Sequence, residues 1–363
     1  MSISRKRLGI LTGGGDCPGL NAAIRAVVKT AINIYGYEVI GFKDGYKGLV
    51  TNRFTRLGLE DVSGLLDQGG TILGTTNSYN PFEVTTDHDG EKQVKDLSGR
   101  IAENIKMHDI EGLIIIGGIN TIWVAERLSK QGINIVAIPR TIENEVPGSD
   151  VNFGFMTAVN TATQAIDKLH STAESHHRVM IVEVMGRRTG WVALESGIAG
   201  GADIILIPEI PYDIHSVARH ILERKNSGKG FSIICVAESC KKDGTKQNTK
   251  HIDFKDEKQI FNGVGSQIAV ELEKLTQLEV RVMVLGYLQR GGEPSSYDRI
   301  LSTRLGVEAV NMAARGDYNK MVCIKNQETK PVPLSEVAGK VKSVPVDGEL
   351  VSIARNTGVS FGD

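Results

Sequence analysis

The chain has 363 residues, 40% of them hydrophobic, which suits about two domains with sizeable cores. Its 42 basic and 43 acidic residues nearly cancel, so composition points to neither a nucleic-acid partner nor a membrane surface. No run of roughly 18 apolar residues is present, so no transmembrane helix is expected. The start, MSISRKRLGILTGGG, has too short an apolar run for a signal peptide and reads as a first strand. Cys17, Cys235, Cys240 and Cys323 form no metal-type CxxC pair, and a reduced, cytoplasmic protein is the expectation.

In chain order, Arg7 to Thr12 is a strand, Gly13-Gly14-Gly15-Asp16-Cys17-Pro18-Gly19 a tight loop, and Leu20 to Ile34 an amphipathic helix. A glycine loop between strand and helix lets backbone N–H groups approach a phosphate at the helix N-terminus. The spacing is neither that of a P-loop nor of GxGxxG, and on its own it is as often a plain turn. Tyr37 to Phe42 is a second strand, Asp44 to Gly48 a turn, and Leu57 to Gln68 contains a short helix. Gly69 to Ser78 is a second loop of small polar residues, suited to phosphate or to a plain surface turn. Thr85 to Asp96 is a solvated hairpin or loop, and Arg100 to Met107 is helical.

Glu111 to Asp150 organises the rest. Leu113 to Ile116 and Ile133 to Ile138 are short apolar runs ending in Gly117-Gly118 and Pro139-Arg140-Thr141, with a helix from Thr121 to Lys130 between them. Such runs suit strands buried on both faces, and strand, helix, strand is a right-handed βαβ unit. Ligands in these sheets sit at the carboxyl ends of strands, so the turn 117–121 and the segment 140–145 should share a cleft.

A second α/β series follows. Val151 to His170 is a helix on which Thr157, Thr161 and Thr163 suggest a polar face near the cleft. Strands are expected at Arg178 to Val184, Ile204 to Ile207, Phe231 to Ala237 and Val280 to Tyr287. Helices are expected at Ile214 to Lys225, Ile260 to Leu275 and Tyr297 to Ala314. Arg178, Arg187, Arg281 and Arg290 could each fork onto a phosphate, although any one of them is more often a surface charge. MGRR and LQRGG, each a turn after a strand, favour Arg187 and Arg290. The fold class expected is α/β, with two doubly wound domains and mainly parallel sheets.

In this order GGGDCPGLNAAIR, GGTILGT, the Gly117-Gly118 turn, PRTIENE, VEVMGR and LGYLQRGG closely resemble the phosphofructokinase family, ATP- and pyrophosphate-dependent branches alike. The resemblance spans roughly residues 5 to 325. It implies a phosphoryl-donor domain of residues 1–150 plus about 290–340, and a sugar-phosphate domain of residues 151–289 plus about 341–363. It implies fructose 6-phosphate as ligand and a homo-oligomer, dimer or tetramer. Carried over by position, substrate-binding falls to Thr141, Arg178, Met185, Gly186, Arg187, Glu238, Arg281, Tyr287 and Arg290, with Arg178 and Arg281 lent across a subunit interface. Tyr287 stands where a histidine is common. Donor binding falls to Gly14, Gly15, Tyr46, Gly117, Gly118, Asn120, Thr121 and Arg140. Catalysis falls to Glu143, Thr141 and Arg187. Arg25 and Lys229 resemble effector-site cations, with His170 where an arginine is usual.

The donor side departs from the family pattern. Ile119 replaces the aspartate that organises Mg²⁺, and an aliphatic side chain offers a hard cation no oxygen. Asp16 and Glu145 are the remaining metal candidates. Asn120 is neither the glycine of ATP users nor the aspartate of pyrophosphate users, and Val124 replaces a glycine. Glu143 stands for the usual catalytic aspartate. Its extra methylene moves the carboxylate about 1 Å, which can cost on the order of 100-fold. Asn77 replaces an arginine whose charge neutralisation is worth ~10³ or more in related chemistry. The sequence therefore predicts a family member that binds fructose 6-phosphate with weak or lost phosphoryl transfer, serving as a pseudoenzyme or as a regulatory subunit in a hetero-oligomer with an active phosphofructokinase. The alternative is a working 6-phosphofructokinase using Mg²⁺ with ATP or pyrophosphate. A dinucleotide-dependent dehydrogenase would need GxGxxG and an acid at the end of the second strand, where Phe42 stands.

Overall fold

A computed structural model describes residues 6–77, 79–88, 91–244 and 263–363. Two sheets carry the chain. The first has seven strands: β1 (Arg7–Gly13), β2 (Glu38–Phe42), β3 (Phe54–Leu57), β6 (Ile110–Gly117), β7 (Ile135–Pro139), β12 (Lys320–Lys325) and β13 (Glu328–Pro333), in the order β13-β12-β7-β6-β1-β2-β3. β1, β2, β6, β7 and β12 pair in parallel, and antiparallel β3 and β13 close the two edges. A small antiparallel hairpin, β4 (Val84–His88) and β5 (Glu91–Lys95), lies apart.

The apolar runs of β1, β6 and β7 feed two cores at once. Ile10, Ile114, Ile116 and Ile138 pack on one face with α1 (Leu20–Tyr35) and α9 (Ser296–Ala314). Leu11, Leu113, Ile115 and Ala137 pack on the other with α4 (Ile119–Lys130). The chain leaves β1 towards β2 through α1 and leaves β6 towards β7 through α4, so the strand order reverses between β1 and β6. Such a switch point opens a crevice at the strands' carboxyl ends.

The second sheet, in the order β11-β8-β10-β9, is wholly parallel: β8 (Val179–Val184), β9 (Ile204–Leu206), β10 (Ser232–Ala237) and β11 (Val280–Val284). α5 (Phe155–His176), α6 (Trp191–Ala199) and α11 (Glu349–Asn356) cover one face, and α7 (Ile214–Asn226) and α8 (Val264–Thr276) the other. The remaining helices are α2 (Tyr46–Val50), α3 (Ser98–Met107) and α10 (Leu334–Val337). The four cysteines are free and buried. Among the described residues no helix is long and apolar enough to cross a membrane.

Several expectations are corrected. Where a short helix is expected within Leu57 to Gln68, β3 ends at Leu57 and residues 59–67 form turns, because Gly64 takes φ 72° and Asp61 Oδ2 accepts from the Gly58 amide at 2.7 Å. The turn at Asp44–Gly48 runs into α2. β11 stops at Val284, and Gly286–Gln289 is a 3₁₀ turn. The expected start of α8 at Ile260 lies outside the described residues. Thr157 on α5 does not face the cleft, since its hydroxyl donates to Asp298 Oδ2 at 2.5 Å.

Candidate active site

The crevice lies where the carboxyl ends of the two sheets face one another, and it is open to solvent. The loop after β1 brings Gly14, Gly15 and Asp16. The turn after β6 brings Gly118, Ile119, Asn120 and Thr121, and the segment after β7 brings Arg140 to Glu143 and Glu145. From the second sheet come Arg187 and Arg188, with Arg290 following the 3₁₀ turn. Asn77, from the loop before the hairpin, completes the rim; Ser78 lies outside the described residues.

The glycine loop is built for close approach. Gly14 sits at φ 81°, and a Cβ there would meet Arg140 Nη2 at 2.3 Å; a Cβ on Gly15 would meet Arg290 Nη1 at 2.7 Å. The loop before the hairpin braces it, with the Gly14 amide donating to Thr76 O at 3.1 Å and the Thr75 hydroxyl to Gly14 O. Arg140 is buried and donates Nη2 to Gly13 O at 2.6 Å, while its Nε has no protein partner. Burial lowers its pKa from the ordinary arginine value. A buried cation with spare donors is a ready partner for an anion.

Three carboxylates gather where the segment after β7 meets the loops after β8 and β10. Glu143 is buried, with Oε2 accepting from the Arg187 amide at 2.9 Å and its own carbonyl accepting from the Thr189 hydroxyl at 3.0 Å. The segment after β7 is thereby stitched to the loop after β8. Glu145 is buried with Arg188 Nη1 at 3.5 Å, and burial followed by the charge of Glu143 pushes its pKa up. Glu238, after β10, accepts from the Gly186 amide at 3.4 Å and is pushed up to about 7, by burial first and by Glu143 second. The Met185 amide donates to Gln289 Oε1 at 3.2 Å, fixing the MGRR turn against the 3₁₀ turn.

The remaining sequence candidates are dispersed. Tyr46 does not line the crevice: its ring is in the core and its hydroxyl donates to Thr121 O at 2.7 Å. Gly117 lies beneath Thr121, which would collide with a Cβ there at 2.3 Å. Val124 is buried in the core, one turn beyond the crevice. Arg178 and Arg281 are at the amino-terminal end of the second sheet, both on Glu279, far from the carboxyl ends of their own chain. Tyr287 is 77% exposed, with Arg290 5.4 Å from its ring. His170 donates Nε2–H to Gly200 O at 2.7 Å. Arg188 had not been singled out, although it adjoins Arg187 in MGRR.

Among the described residues no three His, Cys, Asp or Glu side chains gather as a cation site. Mg²⁺ commonly takes one or two carboxylates and fills its octahedron with water and substrate phosphates. The residues present fit that mode. Glu143 and Glu145, two residues apart on the segment after β7, repel one another, a penalty that a divalent cation relieves, and Asn120 Oδ1 is a buried oxygen without a protein partner. Ile119, 3% exposed, contributes only hydrocarbon.

The phosphofructokinase family model matches residues 7–313. An ATP-dependent 6-phosphofructokinase 2 of Clostridium perfringens is 49% identical over 361 residues, covering 99% of each chain. An ATP-dependent 6-phosphofructokinase of Spirochaeta thermophila is 46% identical, covering 99% of this chain and 98% of its own. The crystal structure of Pichia pastoris phosphofructokinase in the T-state superposes with a TM-score of 0.80 at 29% identity, over 98% of this chain and 37% of that longer one.

Proposed function

The chain belongs to the phosphofructokinase family, and we propose that it phosphorylates the 1-hydroxyl of fructose 6-phosphate with ATP to give fructose 1,6-bisphosphate. The observation that carries this reading is Glu143: a buried carboxylate between the glycine loops on one side and Arg187, Glu238 and Arg290 on the other. The names of the relatives, ATP-dependent throughout the full-length matches described above, support the donor.

In this reading Arg290 and Arg187 hold the sugar phosphate, Glu238 accepts from a sugar hydroxyl, and Thr141, Met185 and Gly186 shape the pocket. Glu143 takes the proton of the attacking hydroxyl, and the Arg187 amide on Oε2 keeps that carboxylate oriented. The amide of Gly15, with the Arg140 guanidinium, receives the donor phosphates, while the Gly14 amide is spent on Thr76 O. Glu143, Glu145 and Asn120 would hold Mg²⁺, whose chemistry is to neutralise charge on the phosphates. Residues 1–150 with about 290–340 form the donor side, a division supported by β12 and β13 completing the first sheet. Residues 151–289 with about 341–363 form the sugar side, supported by α11 packing on the second sheet.

A homo-oligomer completes the site. Arg178 and Arg281 cannot reach their own chain's crevice, and the edge strand β11 ends in exposed Met283 and Val284, followed by exposed Tyr287 and Leu288 in the 3₁₀ turn. Contiguous exposed apolar side chains of this kind mark an association surface. The expected compartment is the cytoplasm.

A second reading, a sugar-phosphate-binding protein that transfers phosphoryl groups poorly or not at all, is favoured by Ile119, which brings no oxygen to the crevice, and by Asn77, which brings no cation. Assay of fructose 6-phosphate phosphorylation with Mg²⁺, ATP and pyrophosphate in parallel, on protein free of host phosphofructokinase, separates the two. Turnover above about 1 s⁻¹, an ordinary enzyme rate, supports the first. No turnover, with fructose 6-phosphate still bound, supports the second. Reverting Ile119→Asp, Glu143→Asp, Glu145→Asp and Asn77→Arg together would then create activity.

A further inference from the structure

The segment that follows α10 crosses the back of the crevice without regular structure, and one side chain in it reaches the acidic loop. Lys342 Nζ donates to Asn144 Oδ1, Ser149 O and Asp150 O, each at 2.9 Å. An ammonium has three donors, and here all three are used. The same residue is held through its backbone. Its amide donates to Glu145 O at 2.8 Å and its carbonyl accepts from Trp191 Nε1 at 2.8 Å. The Trp191 ring lies 5.7 Å from the ammonium. Two residues on, the Val344 amide donates to Glu209 Oε1 at 3.0 Å, and the same carboxylate receives the Gly190 amide. A single strap thus ties the loop after β7 to the loop after β8, from 198 residues away in sequence.

Asn144 is the point of attachment. It sits between Glu143 and Glu145, at φ 51°, a left-handed conformation that costs a side-chain-bearing residue energy unless its surroundings hold it. Its Oδ1 also accepts from the Asn152 amide and from Asn152 Nδ2, each at 3.0 Å. An acceptor with three donors, one of them charged, fixes the carboxamide and with it the backbone on either side. Burial depresses the Lys342 pKa to about 8, opposed by Asp150 and Glu195.

We propose that Lys342 is a positioning residue for phosphoryl transfer: through Asn144 it holds Glu143 and Glu145 at the crevice. This rests on the proposed reaction for its catalytic consequence, and on the geometry alone for the loop.

The test compares Lys342→Met, Asn144→Gly and the double variant in the full-length protein. Asn144→Gly removes the carboxamide while keeping the left-handed backbone accessible. Two quantities are read: hydrogen exchange of the peptide spanning residues 141–152, and kcat with KM for fructose 6-phosphate. The expected result is faster exchange in that peptide in both single variants. A fall in kcat of about 10- to 100-fold, with KM within threefold, should accompany it. The double variant should lose less than the two single losses combined, because both break the Lys342–Asn144 link. Lys342→Arg, which keeps the charge but replaces a three-way donor by a planar fork, should recover part of the kcat. Loop exchange and kcat both unchanged in Lys342→Met would overturn the proposal, as would additive losses in the double variant. If Lys342→Met does not fold, Asn144→Gly alone decides by the same two readouts. A parent without turnover would defeat the proposed reaction, and the exchange measurement would still decide whether the lysine holds the loop.

Discussion

The carboxylate of Glu143 meets the backbone amide of Arg187 at 2.9 Å, joining the loop after β7 of one sheet to the loop after β8 of the other. An amide N–H fixes a carboxylate by donating to one oxygen and leaves the second oxygen for a substrate proton. The longer glutamate side chain is accommodated because its partner is backbone, whose place is set by the MGRR turn. Glu143→Gln keeps an oxygen for the amide and loses the base. Its kcat should fall by about 10²–10⁴-fold with fructose 6-phosphate binding changed little, as read by steady-state kinetics and calorimetry. A Gln variant within threefold of the parent would remove Glu143 from the chemistry.

Gly14 meets two restrictions at once. Its φ of 81° favours glycine, and a Cβ would stand 2.3 Å from Arg140 Nη2. Gly14→Ala should therefore cost on the order of 1–3 kcal/mol of stability through backbone strain. It should also displace the guanidinium from Gly13 O and raise KM for ATP more than KM for fructose 6-phosphate. Thermal unfolding and the two KM values check this. Equal changes in both KM values would mean that the loop does not belong to the donor side.

Glu238 is pushed up to about 7, and Glu195, on α6, is raised by burial to about 7 as well. Unfolded, both should titrate near the ordinary glutamate value of about 4.3. A carboxyl raised on folding binds its proton more tightly in the native state, so its stabilising contribution is present below the unfolded pKa and is lost as pH rises through about 7. The ligand-free protein should therefore lose stability between pH 5 and pH 7.5. Glu238→Gln should flatten part of that slope, as denaturant melts at several pH values would show. An unchanged slope in the variant would mean that Glu238 titrates normally.

How far this was legible in the sequence differed by element. β1, β6 and β7 were visible because a strand buried on both faces needs an unbroken apolar run, and LIII and IVAI have little competing use. α6 was not, because WVALESGIA is apolar nearly all round and shows no stripe of helical period. β12 and β13 went unread because the second of them, ETKPVP, is an edge strand carrying two prolines, which its unpaired side tolerates. The crevice residues Gly14, Gly15, Thr141, Glu143, Arg187 and Arg290 were found through strand ends and family-like motifs. Tyr46 was placed with them by resemblance, and only the packed core reveals that its hydroxyl serves Thr121. Lys342 had no local signal, since its partners are two carbonyls and a carboxamide that only the fold assembles.

The exposed row at the end of β11 and in the turn beyond it carries the last prediction. Met283, 42% exposed, and Val284, 54%, lie on an edge strand whose outer side has no partner strand among the described residues, and Leu288, 69% exposed, follows in the 3₁₀ turn, with Arg281 earlier on the same strand. A second copy covering this edge would bury the apolar row and bring Arg178 and Arg281 towards a crevice they cannot reach in their own chain. Val284→Lys places a charge in that contact and leaves the chain's own core untouched. Light scattering after size exclusion should show the parent as a dimer or tetramer and Val284→Lys as a smaller species. KM for fructose 6-phosphate should rise with dissociation, on the order of 10-fold for the loss of charge-assisted phosphate contacts. A variant that dissociates with KM unchanged would show that the neighbour lends nothing to the site, and a monomeric parent would show that this edge is not a subunit contact.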